Sequence, residues 1–271
     1  MALFEIMDDI AKRQVEKTET GDNRIYGLLL GVVTKNYDEE MPGRVCVKIL
    51  TRDEEANELL WARVVMPSSG STWGHYFLPE VGDEVLLAFE QGNIERPYVI
   101  GCIPRDNDKF LKSSADEKNQ FKRITTTHGN TLVFEDNKDG ADKDKIHLYT
   151  SSQKFRLEMD NEAGTIRISD GDEDNYVLIN AGEGKGDITV QCTKKVTIKA
   201  GDTTKIIMDG DNGKIAISGT KIELKATDGM TLEANSKMSV TGGNTTVKGN
   251  SMITLESSGP AQVKGTPVKV G

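Results

Sequence analysis

Two short stretches have the composition of cation-binding loops. Asp170-Gly171-Asp172-Glu173-Asp174 and Asp209-Gly210-Asp211-Asn212-Gly213 mix carboxylates with glycine, as oxygen-rich calcium loops do. A helix-flanked calcium loop closes on glutamate at its twelfth position; counting from Asp170 that position is Ala181, and neither stretch has helical periodicity beside it. Both are read as acidic turns. The three histidines, His75, His128 and His147, are dispersed, and neither H-E-x-x-H nor G-x-S-x-G occurs. His75 stands near Trp73 and Tyr76 with no cysteine or serine nucleophile at motif spacing. Carboxylates are abundant, but no pattern sets two of them across a cleft as glycoside hydrolysis needs. Cys46, Cys102 and Cys192 are too few and too scattered for a disulfide framework. These residues point to a protein with no catalytic machinery, no cofactor and no metal.

What recurs instead is a short apolar pattern over residues 188–271. Anchors stand at Val190, Ile198, Met208, Ile217, Leu224, Leu232, Val240, Val247, Leu255, Val263 and Val270, ten steps over 80 positions, a mean of 8 residues per step. Two residues before nearly every anchor is another apolar residue, and two residues after it, as far as Val263, is a small one. Apolar residues at period 2 line one face of a strand, and the small residue lets the chain turn a crowded corner. A fixed short period implies stacked rungs rather than a globular core. Two buried aliphatic side chains contribute roughly 3–6 kcal/mol per rung, whereas ordering eight backbones costs roughly 8–16 kcal/mol. One rung therefore cannot stand alone. No Phe, Tyr or Trp follows Tyr176, so the interior is thin. A thin core suits three intertwined chains, each giving one side of a triangle; a single-chain β-helix is the alternative arrangement.

Ahead of the repeat the chain reads in four parts. Residues 1–24 hold Leu3, Phe4, Ile6, Met7 and Ile10, apolar residues at largely helical spacing, read as a docking helix and linker. Residues 25–103 give five strands, Gly27–Lys35, Arg44–Leu50, Leu60–Val65, Glu84–Glu90 and Tyr98–Ile103, enough for a small OB-type barrel. Residues 104–121 form a polar linker. Residues 122–187 carry the alternations Leu132/Phe134, Ile146/Leu148, Phe155/Leu157, Ile166/Ile168 and Val177/Ile179 between longer polar loops, an irregular upper β-prism. The expected fold is all-β: a short helix, an OB barrel and an intertwined trimeric β-helix with octad repeats.

The net charge is −9. Residues 188–271 hold eleven Lys against seven Asp or Glu, a surplus of four, so the first 187 residues carry −13. That acidic front lacks a basic groove with interleaved aromatics and argues against nucleic acid as a partner. No charged-then-apolar signal opens the chain and no apolar run is long enough to cross a bilayer, so synthesis as a soluble cytoplasmic protein is expected.

Several stretches in the barrel region resemble a known family. Leu60-Trp61-Ala62-Arg63-Val64, Trp73-Gly74, Pro79-Glu80-Val81-Gly82-Asp83-Glu84-Val85-Leu86, Glu95-Arg96-Pro97-Tyr98-Val99-Ile100-Gly101 and Thr126-Thr127-His128-Gly129-Asn130-Thr131-Leu132-Val133-Phe134-Glu135-Asp136 are similar, in order and spacing, to the phage baseplate assembly protein V and VgrG spike family. The resemblance implies a homotrimeric, non-enzymatic spike at the centre of a contractile phage tail, tailocin or injection machine, puncturing a target envelope. It also implies a tube-like hub above the OB collar, here a separate chain meeting the helix at 1–24. The end, Thr266-Pro267-Val268-Lys269-Val270-Gly271, resembles blunt shafts that accept a PAAR-type tip protein. An exposed last rung is an open β edge and calls for such a cap. A trimeric receptor-binding fibre and a glycan-cleaving β-helix enzyme are the competing readings; the chain shows neither a globular head nor an aromatic, carboxylate-lined groove.

Overall fold

The computed structural model describes residues 24–51 and 60–269, and the chain divides after Val196 into two units. In the first unit, five strands close a barrel: β1 (Leu29–Lys35), β2 (Arg44–Ile49), β3 (Leu60–Val64), β4 (Glu84–Phe89) and β5 (Pro97–Cys102), in the order β1-β2-β3-β5-β4. All pairings are antiparallel except β3 with β5. Period-2 alternation sends Val33, Val45, Val47, Ile49, Val85, Leu87 and Val99 inward, each 0–1 % exposed. Closure leaves no open edge, so this part supplies its own core. It is the OB-type barrel expected from the sequence, with strand limits within two residues of those read from the pattern.

One glycine in that wall is there for space. A Cβ at Gly31 would lie 2.8 Å from Leu87 Cδ1 and 3.2 Å from the Lys48 carbonyl. Its lack of a side chain lets β1 pass between β2 and β4 over a full core.

The connection at 104–121, read as a polar linker, contains a six-residue helix, α1 (Lys109–Ser114). Arg105 Nε donates to Glu84 Oε1 at 2.8 Å and ties the start of this segment to β4. Beyond it seven strands form an antiparallel meander: β6 (Phe121–Thr125), β7 (Thr131–Glu135), β8 (Lys145–Tyr149), β9 (Phe155–Asp160), β10 (Thr165–Asp170), β11 (Tyr176–Asn180) and β12 (Asp187–Gln191). Every apolar pair read in 122–187 falls inside one of these strands. The first octad rung, Ile188/Val190, pairs with Ile179 and Val177 of β11 and so joins this sheet.

The second unit holds most of a three-stranded sheet, β13 (Lys195–Ala200), β14 (Thr204–Asp209) and β15 (Lys214–Ser218). Here the anchors Ile198, Met208 and Ile217 stand ten and nine apart, and the extra residues make the turns: Gly201 and Gly213 take φ of 61° and 59°. Ile206 faces Ile217 and Met208 faces Ile215, so the apolar pattern sets the register. From Gly219 onward the described residues form no strand pairing within the chain. They bend at 227–228, 235–236, 243–244, 250–251, 258–259 and 266–267. That spacing of seven or eight residues is the octad period, now visible as geometry.

Gly31→Val is expected to destabilise the barrel by about 1–3 kcal/mol through overpacking against Leu87. Urea unfolding followed by tryptophan fluorescence checks this, since both tryptophans lie between Leu60 and Gly74.

Candidate functional site

The registers of the meander superpose its apolar residues into two unbroken rows on one face. One row runs Ile124, Leu132, Leu148, Leu157, Ile168, Val177, Val190, each facing the next across a strand pair. The other runs Phe134, Ile146, Met159, Ile166, Ile179, Ile188. Eleven of these thirteen residues are at least 37 % exposed, and Ile188 reaches 69 %. The barrel core is sealed; this face is bare. At one end Leu148, Phe155, Leu157, Ile168, Val177 and Val190 shape an apolar hollow of about 800 Å³. Soluble monomers rarely leave so continuous an apolar surface uncovered, and a sheet that is apolar on one side packs that side against something.

The second unit shows the same feature by itself. Leu224, Leu232, Val240, Val247, Leu255 and Val263 are 67–92 % exposed along the octad stretch. Thr266, Pro267, Val268 and Lys269, read as the tip contact, are exposed and bend at Thr266-Pro267, which are joined by a cis peptide bond. Val270, Gly271 and the docking residues Leu3, Phe4, Ile6, Met7 and Ile10 lie outside the described residues.

The opposite face of the meander is polar and internally paired. Lys145 Nζ meets Asp160 Oδ2 at 2.9 Å across β8 and β9. Burial pushes the Asp160 carboxyl up, but hydrogen bonds from Lys145 and the Ala163 amide outweigh it and hold it below the usual carboxylate range. The Asp160 hydrogen bond raises the Lys145 ammonium above its usual value. Glu173 lies 3.3 Å from Arg156 and 3.4 Å from Arg167, and the Arg167 guanidinium sits 4.1 Å over the Tyr176 ring. His147 stands between Glu158 at 3.4 Å and Glu135 at 3.8 Å. Paired, half-buried charge on one face and unpaired, more exposed aliphatics on the other mark the apolar side as the one left to be covered.

The stretches that resembled cation loops are turns held by their own carboxylates. Asp170 Oδ1 accepts the Asn175 amide at 3.2 Å and Oδ2 accepts its side-chain amide; these hydrogen bonds, the side-chain one foremost, hold the Asp170 carboxyl low. Asp209 Oδ1 accepts the Asn212 amide at 3.3 Å in the β14–β15 turn. Among the described residues no group of three or more His, Cys, Asp or Glu is placed to hold a metal ion. Sequence spacing missed one contact: Ser68 Oγ lies 3.0 Å from His75 Nδ1. An isolated bridge between Ser69 and Gly74 folds the loop back and brings them together. Both groups are near the surface, and their contact clips the loop that the bridge folds. Among the described residues no helix is long and apolar enough to cross a membrane.

Comparison with known proteins agrees with the barrel's geometry. Residues 29–103 match the family model described as the type VI secretion system/phage-baseplate injector OB domain. The chain is similar to three type VI secretion system spike proteins of Pseudomonas aeruginosa. It is 27 % identical to VgrG1c over 120 residues, 28 % to VgrG1b over 118 and 29 % to VgrG1a over 105. These matches cover 41 %, 40 % and 35 % of this chain and 16 % of each relative. The barrel thus carries the match to the injector OB domain, and its motifs resemble the baseplate protein V and VgrG spike family.

The Lys145–Asp160 pair yields a pH test. A depressed carboxyl contributes stability above its unfolded value, about 3.9, and loses that contribution as pH falls through the lower folded value. Asp160→Asn is therefore expected to lower the melting temperature at pH 7, and the gap from the unsubstituted protein is expected to close in strong acid. A gap that persists unchanged to pH 2 contradicts the assignment.

Proposed function

We propose that this chain is one third of a trimeric central spike that punctures a target cell envelope. The uncovered apolar face of the meander carries this reading. Three such faces turned inward around a shared axis bury one another as a prism, leaving the polar faces in water. The octad stretch follows the same logic with less bulk: its bends let each chain supply one side of a triangle per rung, and the neighbouring copies supply the ladder partners its extended backbone lacks. Each octad advances the triple-stranded β-helix about one strand spacing, ~4.7 Å.

The role is mechanical, not enzymatic. Names of the similar proteins, spike proteins of a secretion system, support it, as does the injector OB domain at 29–103. Contraction of a sheath, in a phage tail, a tailocin or an injection system, drives the spike forward, and interlocked rungs keep it folded under load. Two further partners complete the reading. A tube-like hub sits above the collar and engages Leu3, Phe4, Ile6, Met7 and Ile10, and a PAAR-type tip protein caps the edge at 266–271. Nucleic acid is not among the proposed partners.

Ile168→Asp places a charge in the middle of the apolar row and is expected to abolish the trimer in analytical ultracentrifugation. A trimer of unchanged stability would remove the proposed interface. A chain ending at Gly265 is expected to remain trimeric yet fail to retain a PAAR-type protein in a pull-down, and a chain lacking residues 3–17 to fail to retain the hub. Retention by either shortened chain equal to that of the intact one contradicts the assigned contact.

A further inference from the structure

One cluster on the outer wall of the barrel is not explained by the spike's apolar faces. Arg44 on β2 and Arg63 on β3 are direct cross-strand partners, and Arg63 in turn faces Tyr98 on β5. Trp61 is the next outward residue along β3, opposite Cys46. With Arg96 they line a polar cleft of about 230 Å³. Arg96 is neutralised by Glu90, whose Oε1 lies 3.4 Å from its guanidinium and whose Oε2 accepts the Tyr98 hydroxyl at 3.1 Å. Arg44 and Arg63 have no ion pair among the described residues.

Like charges directly opposite one another weaken a β pair. The cost falls on a domain that is acidic as a whole: residues 24–103 contain seven Lys or Arg against twelve Asp or Glu. With so many carboxylates in the same domain, two arginines left facing each other form a local cationic island. Each guanidinium presents a planar fork of donors that matches a carboxylate or a phosphate.

We infer that the Arg44–Arg63 cleft is a docking site for a carboxylate on an acidic peptide segment of a partner protein. Size and sign select this over a nucleic-acid strand. A cleft of about 230 Å³ admits one side chain, not a run of stacked bases. Glu90 and Glu95 also line it and repel a continuous polyanion, whereas a single carboxylate flanked by neutral residues reaches the arginines past them. Trp61 and Tyr98 offer flat apolar walls to the methylene stem of the incoming residue. The inference rests on the barrel alone and stands whether or not the chain is a spike.

The test is fluorescence anisotropy of the full chain with a rhodamine-labelled peptide in which single glutamates alternate with glycine and phenylalanine. Saturable binding is expected, weakened about tenfold or more by Arg44→Ala, by Arg63→Ala, or by glutamine in place of each glutamate, the loss typical of charge-assisted hydrogen bonds. Melting curves of the same variants form the second readout. Removing either arginine relieves repulsion, so the melting temperature is expected to hold or rise. No binding, equal binding of the glutamine peptide, or binding indifferent to both substitutions overturns the site. So does a fall in melting temperature, which makes the pair structural, or tighter binding of a short oligothymidine that the variants lose.

Discussion

Uncovered aliphatic surface is the constraint on which the rest of this structure depends. Thirteen apolar side chains line one face of the meander, and burying one of this size from water contributes roughly 1.5–3 kcal/mol. Most of these side chains are already half covered, so leaving the face open forfeits on the order of 10 kcal/mol, comparable to the net stability of a typical domain. From Gly219 onward the octad stretch is in a harder position, because its described residues have no ladder partner in the chain. The proposed trimer answers both deficits with one operation, a threefold axis.

The barrel contrasts with that dependence. It seals its own core, closes its own edges and spends a glycine at Gly31 to let a strand approach Leu87. On the proposed reading it folds first and holds three copies at high local concentration, so that the thin region downstream meets its partners by proximity. Long-range association costs less entropy once the chains are tethered. On the same reading, division of labour between a self-sufficient barrel and a copy-dependent region after it follows from where the large apolar residues fall. Val45, Val47 and Leu87 are spent inside the barrel, and none of Phe, Tyr or Trp remains after Tyr176.

Much of this was legible in residue spacing because β structure writes its faces at period 2. The five barrel strands and the strands around Leu132, Ile146, Leu157, Ile168 and Val177 were each marked by alternation between turn residues. The octad period was legible too, yet it concealed a distinction. Ile188 with Val190, and Ile206 to Ile217, satisfy the same apolar-x-apolar unit as the later rungs, but the structure folds them into antiparallel pairs. The only trace in sequence was the lengthening of two steps to ten and nine, room for a reversing turn. Cross-strand neighbours were not legible. Arg44 and Arg63 are nineteen residues apart, and Ser68 meets His75 only because a bridge folds their loop. Spacing along a chain fixes which face a residue occupies, not which residue stands opposite.

The central claim is that the bare faces are covered by two further copies of the same chain. Light scattering coupled to size-exclusion chromatography of the intact protein tests it most directly. A mass of about 89 kDa, three times the 29.7 kDa of one chain, is the predicted result. A stable, folded species at the mass of a single chain would contradict it.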